Sequence, residues 1–213
     1  MRTLEQILQD VNSVLDLENA TPSGDELTTR QNYANQAVWD ASSLGQLSEF
    51  KREYIGLATQ ATVSLPTNFR ELQEWPRLLD STGNWQKYEP IEMEQKYDKV
   101  STDSYCYVMG NPAEGYSLYI NNLITNATIS VIYQRYPSGL STLTDVCELP
   151  DPEYVVRKVE AYVLYSRSDD RLQVAEQKAE RQLANMMGRE MKSSTGEGRS
   201  TKMKFRHPLQ NLS

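Results

Sequence analysis

Apolar residues recur at helical spacing near both ends of the chain and at two-residue spacing in its middle. Leu4, Ile7, Leu8, Val11, Val14 and Leu15 accompany Thr3-Leu4-Glu5-Gln6, in which Thr3 can accept from the third helical amide while Gln6 reaches back. This predicts a first helix from Leu4 to Leu17, broken by Thr21-Pro22-Ser23-Gly24. Ser23-Gly24-Asp25-Glu26 offers a second capping box, and the stripe Leu27, Ala34, Val38, Ala41 and Leu44 stops at Gly45. So many small residues imply close helix neighbours. Leu47, Phe50, Tyr54 and Ile55 keep helical spacing as a short further helix. From Ala58 to Leu65 the chain is rich in Thr, Ala and Val and closes on Leu65-Pro66, which favours an extended backbone.

Beyond that point the period becomes two. Tyr105 to Met109, Tyr116 to Asn121 and Ala127 to Tyr136 are predicted strands, the last alternating Ile129, Val131, Tyr133 and Arg135 with Ser130, Ile132, Gln134 and Tyr136. Gly110 to Gly115 and Asn121 to Asn126 carry turn chemistry, so an antiparallel meander is expected. Asp80 to Asn84 is a hairpin turn between Phe69 to Leu79 and Trp85 to Tyr88, and Pro90 to Tyr97 is a short helical turn. Pro137 to Pro150 is an irregular connector. Asp151-Pro152-Glu153 then starts a helix with Asp151 as its cap and an apolar face of Tyr154, Val155, Val159, Tyr162, Val163 and Tyr165. After Ser168-Asp169-Asp170 a last helix carries Leu172, Ala175, Ala179, Leu183 and Met186 or Met187. The expected class is α+β: amphipathic helices at both ends packed as a bundle, a small antiparallel β-sheet domain inserted between them, and an extended C-terminal arm. The divisions are 1–57 for the N-terminal helices, 58–137 for the sheet region, 138–192 for the connector loop and C-terminal helix pair, and 193–213 for the arm.

Charge singles out the arm. Of 22 basic and 29 acidic side chains, six basic and two acidic fall from Arg189 onward, leaving 16 basic and 27 acidic in the 188 residues before it. A basic tail therefore follows an acidic body. Gly and Ser loosen the segment from Ser193, and Lys202, Lys204 and Arg206 then alternate with Met203 and Phe205, a pattern suited to gripping a partner. A solvated chain end accounts for the same composition. Only 38 % of the residues are apolar, which leaves much exposed or interface surface. No apolar run is long enough to span a bilayer, and Met1-Arg2-Thr3 leads straight into an amphipathic pattern, so neither a membrane span nor a signal peptide is expected.

Catalytic patterns are not found. The single histidine, His207, sits in the arm with no zinc-ligand spacing around it, and Cys106 and Cys147 read as two free, core-filling thiols. There is no Gly-x-Ser-x-Gly elbow and no phosphate-cradling glycine loop; Gly196-Glu197-Gly198 has no helix after it. Asp169-Asp170 and Glu92-x-Glu94 are read as an inter-helix turn and an exposed helical face. Thirteen tyrosines and three tryptophans could stack nucleobases, but that mode needs a cationic groove and the body is acidic, so they are read as packing. No catalytic residue, metal or cofactor is expected.

Ile129-Ser130-Val131-Ile132-Tyr133-Gln134-Arg135-Tyr136-Pro137, followed by Leu140, Leu143, Thr144-Asp145-Val146, Glu148-Leu149-Pro150 and Tyr154-Val155-Val156, resembles the head-to-tail adaptor (connector) proteins of tailed bacteriophages. Those proteins end a small sheet in a Tyr-Tyr-Arg-x-Pro-like strand, cross to Leu-Pro and enter a helix pair. Leu65-Pro66-Thr67-Asn68-Phe69-Arg70-Glu71-Leu72 and the N-terminal helix pair extend the similarity over about Thr3 to Met191. The resemblance implies a structural virion protein: a ring, commonly of twelve copies, beneath the portal at the capsid vertex, made in the host cytoplasm. Its channel passes double-stranded DNA without specific binding, its lower rim receives a stopper or tail, and its C-terminal segment binds the portal. An acidic wall suits passage of phosphate without adhesion, and head-to-tail contacts between identical copies close a ring. Ala34, Val38, Ala41, Ala175 and Ala179 are the expected subunit-interface positions, and Arg199, Lys202, Met203, Lys204, Phe205 and Arg206 the expected portal-binding ones. The competing readings are another virion component, such as a stopper, tail terminator or minor capsid protein, and a phage-encoded enzyme or nucleic-acid accessory factor.

Overall fold

The structure, a computed structural model, describes residues 1–18, 20–44 and 47–194, with side chains through Arg189. The expected arm residues Arg199, Lys202, Met203, Lys204, Phe205 and Arg206, and His207, lie outside the described residues.

Helix α1 spans Leu4–Val14 and has the capping box its sequence announces: the Gln6 amide donates to Thr3 Oγ1 at 3.3 Å, and the Thr3 amide donates to Gln6 Oε1 at 3.0 Å. It is shorter than expected because Asp16 turns to φ +60° and the Leu17 amide closes back on the Asn12 carbonyl. Helix α2 covers Gly24–Leu44, α3 Glu153–Ser166 and α4 Leu172–Ser194. All four contribute to one core, with Ile7, Leu8, Val11, Val38, Val155, Val159 and Met186 among its members. The cap of α3 falls one residue later than the expected Asp151. Pro152 occupies the cap position, and the Asp151 carboxylate accepts from the Glu153 amide at 3.2 Å. Two residues assigned to apolar stripes, Leu44 and Tyr165, are exposed.

The α1–α2 contact holds a buried cation. Arg30 is 2 % exposed, donates to Asn12 Oδ1 and pairs with Glu26 one helical turn before it. Asn12→Ala removes an acceptor from a buried guanidinium and should cost about 1.5–3 kcal/mol, read as a lower urea midpoint with an unchanged m-value.

The expected short helix from Leu47 is instead a single 3-10 turn, Ser48–Phe50, followed directly by strand β1, Lys51–Ala58. Tyr54 and Ile55 are β residues, because pairing with the long strand Ala127–Arg135 outweighs their weak local helical spacing. The remaining strands are β2 Thr62–Ser64, β3 Phe69–Leu72, β4 Arg77–Leu79, β5 Trp85–Lys87, β6 Glu89–Pro90, β7 Tyr105–Asn111, β8 Gly115–Ile120 and β9 Ala127–Arg135. The expected strand Phe69 to Leu79 is interrupted before Pro76, which cannot donate to a ladder. The Met93–Asp98 segment is a 3-10 turn.

The fold is α+β, but one antiparallel meander is replaced by two sheets. One has the order β1-β9-β4-β5, with β3 also paired to β9; the other has the order β2-β8-β7-β6, in which β6 runs parallel to β7. After the β7–β8 hairpin, β9 leaves for the other sheet and pairs on both of its edges. Ala58, Leu78, Ile129 and Val131 from the first sheet meet Val63, Cys106, Leu118 and Ile120 from the second in a separate core. Gly110 sits at φ +104°, and a Cβ there would lie 2.1 Å from the Gly115 carbonyl oxygen, so this hairpin requires glycine.

The connector after β9 ties both regions together. The Leu140 amide donates to Asn35 Oδ1 at 2.7 Å, and its carbonyl accepts from Gln31 and Asn35 of α2. Leu143 and Asp145 carbonyls accept from the Glu5 and Leu4 amides of α1. Hydroxyl and amide donors of Thr142 and Ser141 hold the Asp145 carboxyl well below the usual carboxylate range and fix that turn. Arg135, at the end of β9, pairs with Glu148 at 2.7 Å, and Glu148 also accepts from the Ser138 amide. Conformation in this stretch comes from polar side chains and not from a repeating backbone pattern.

Candidate assembly surfaces

The five positions expected at a subunit interface are all inside the protomer. Ala34, Val38, Ala41, Ala175 and Ala179 are each at most 2 % exposed and belong to the four-helix core. Their small side chains let helices of the same chain approach, and their burial leaves them no surface to offer a second copy.

The outer face of the first sheet, in contrast, exposes large apolar residues. Register places Leu57, Thr128, Leu79 and Trp85 in one row across β1, β9, β4 and β5, and Ile55, Ser130, Arg77 and Lys87 in the next. Ile55 is 64 %, Leu57 58 % and Trp85 45 % exposed, although strand pairing fixes their positions. A polar row beside them is rigid: the Ser130 hydroxyl donates to Glu53 Oε1 at 2.6 Å, Arg77 Nε donates to Ser130 Oγ at 3.3 Å, and the Arg77 guanidinium lies 4.9 Å from the Trp85 ring centroid. Strand β1 pairs only with β9 among the described residues, leaving its other edge open over eight residues. The sequence places Ile55 on a short helix; on a strand, where the period is two, Ile55 and Leu57 fall on one face.

Groups considered for chemistry sit in structural settings. Asp169 holds Arg171 through contacts at 3.1 and 3.0 Å and starts the turn into α4. Glu92 caps the exposed Met93–Asp98 turn and Glu94 lies on it. Tyr107 and Tyr119 stack at 4.7 Å across the β7–β8 ladder. Among the described residues no three His, Cys, Asp or Glu side chains are placed to hold a metal ion, and no helix is long and apolar enough to cross a membrane.

Both cysteines are buried and free. Burial pushes the Cys106 thiol up to about 12, with Glu89 adding to the effect, and the Cys147 thiol up to about 11. The thiolate is the reactive species, so the native protein should resist alkylation at pH 8 and react at both thiols in urea. In the unfolded chain these thiols ionise near pH 8.5. Their preference for the protonated folded state is therefore fully present below that pH and is lost as pH rises through 11 to 12, by about 1.4 kcal/mol per pH unit per thiol. Urea unfolding at pH 7 and pH 10 measures this slope, which Cys106→Ala should reduce.

No curated protein matches the chain. A family model described as SU10 adaptor protein matches residues 2–203. This span takes in α1, all nine strands and α4, and agrees with the resemblance carried by the β9 strand and its connector. The chain belongs to the SU10 adaptor protein family, a family of phage head-to-tail adaptors.

Proposed function

We propose that this protein is a structural component of the virion neck that assembles as a closed ring between the portal and the stopper or tail. The observation that carries this reading is the family match across residues 2–203. Helices from both chain ends would form the body of each protomer, with the two sheets projecting from it. A ring needs two different, mutually complementary surfaces on each copy. The outer sheet face supports this, because Ile55 and Leu57 mark one edge and Trp85 the opposite edge of the same face.

The acidic balance before Arg189 supports a channel that passes DNA without holding it, since bound phosphate requires cationic contacts. The alternating basic and apolar residues from Lys202 to Arg206 support attachment to the portal by an extended segment, with Met203 and Phe205 as anchors. Individual contacts of this kind are weak until many copies are held together, so the free chain should remain monomeric and assemble on a portal template. Native mass spectrometry with and without portal tests this: ring-sized additions to the portal support the reading, and absence of any complex refutes it.

A further inference from the structure

A groove of about 590 Å³ runs between β3 and the segment Pro90 to Gln95, with Tyr107 and Val108 behind it. Leu72, Ile91 and Val108 give it a half-buried apolar floor, and Glu71, Glu92 and Glu94 stand exposed around it. None of the three carboxylates takes part in an ion pair among the described residues. Glu92 accepts from the Gln95 amide and Glu71 from the Gln73 side chain. Arg70, which also lines the groove, donates to the Ser42 carbonyl at 2.6 Å and keeps its charge, while the Lys96 ammonium lies over the rings of Tyr97 and Tyr107. An apolar floor rimmed by three carboxylates against one guanidinium suits an extended segment that alternates cations with apolar side chains.

The geometry points to residues 201–207 of the same chain as the occupant, docked with Met203 and Phe205 toward the floor and Lys202, Lys204 and Arg206 toward the carboxylates. Charge complementarity is the first argument: three cations face three carboxylates that have no ionic partner among the described residues. Length is the second. Ala179 and Leu183, in the middle of α4, line a pocket with Ser43 and Leu44, beside the Ser42 carbonyl that Arg70 of the groove grips, and α4 runs eleven residues further before the arm begins. From Ser194, where α4 ends, the eight residues Thr195 to Lys202 span up to about 28 Å when extended. The groove thus shields the arm's apolar anchors and cations while the chain is free. The docking stands on its own; its consequence, exchange of the arm from groove to portal, rests on the function proposed above.

The test uses the full chain with Phe205→p-benzoylphenylalanine, irradiated in a mixture of isotopically light and heavy protein. Expected are crosslinks from position 205 to residues 69–72, 90–95 or 107–108 within one chain. E71K/E92K/E94K should lower their yield at least tenfold, and adding K202E/K204E/R206E should restore it. K202E/K204E/R206E alone should reproduce the loss, which keeps the test open if the groove variant does not fold. Crosslinks elsewhere, crosslinks only between light and heavy chains, no crosslinks, or a yield indifferent to both reversals would each overturn the docking. Adding portal is a separate arm of the experiment: a crosslink that persists in its presence would count against exchange and leave the docking intact.

Discussion

Ile55→Asp combined with Leu57→Asp should leave the protomer as stable as before and abolish ring formation on the portal. Both side chains are more than half exposed, and substitutions at such positions usually change stability by no more than about 0.5 kcal/mol. In an assembled ring each would lose about 1.5–3 kcal/mol of apolar burial, and a buried carboxylate would add a desolvation cost. The contact recurs at every copy, so the expected loss in assembly exceeds a hundredfold. Thermal unfolding checks the fold, and sedimentation of portal mixtures checks the ring. If the double variant sedimented with the portal like the parent chain, the outer sheet face would not be the subunit contact.

Removal of residues 195–213 should have a comparable effect on attachment. Both cores are built from described residues that precede Thr195, so the truncated chain should still unfold in one cooperative transition, with a midpoint lowered by no more than the loss of the groove contacts inferred for residues 201–207. Binding to the portal should fall by more than a hundredfold. In the full chain, K202E/K204E/R206E should weaken binding most at low salt, where the Debye length is roughly 10 Å or more. Equal affinity of truncated and intact chains in a titration would make the arm a solvated tail and shift attention to α3 and α4.

The parts of this fold that were legible in the sequence are those whose cause is local. The Thr3–Gln6 capping box, the α1 stripe, the β7–β8 hairpin and the Ala175-x-x-x-Ala179 spacing of α4 each declare themselves within a few residues. What could not be read depends on distant partners. β1 is a strand because β9 pairs along its full length, and β9 changes sheets because β3, β4 and β1 occupy both of its edges. The alanine spacing was real, but spacing alone does not tell a helix of the same chain from one of a neighbour. Only burial decided that Ala34, Val38 and Ala41 face inward. The groove at β3 was equally hidden, since Glu71 and Glu94 are 23 residues apart and meet only when the two sheets pack.

Electron cryomicroscopy of the protein reconstituted on the portal would image a closed ring of this chain, if it forms, without relying on any variant. Expected is a complete ring of copies around one axial channel, with the outer face of β1 and β5 at the contacts between neighbours and the basic C-terminal segment on the portal surface. One or two isolated copies per portal, or a ring whose neighbours meet with Ile55, Leu57 and Trp85 all left in solvent, would contradict it.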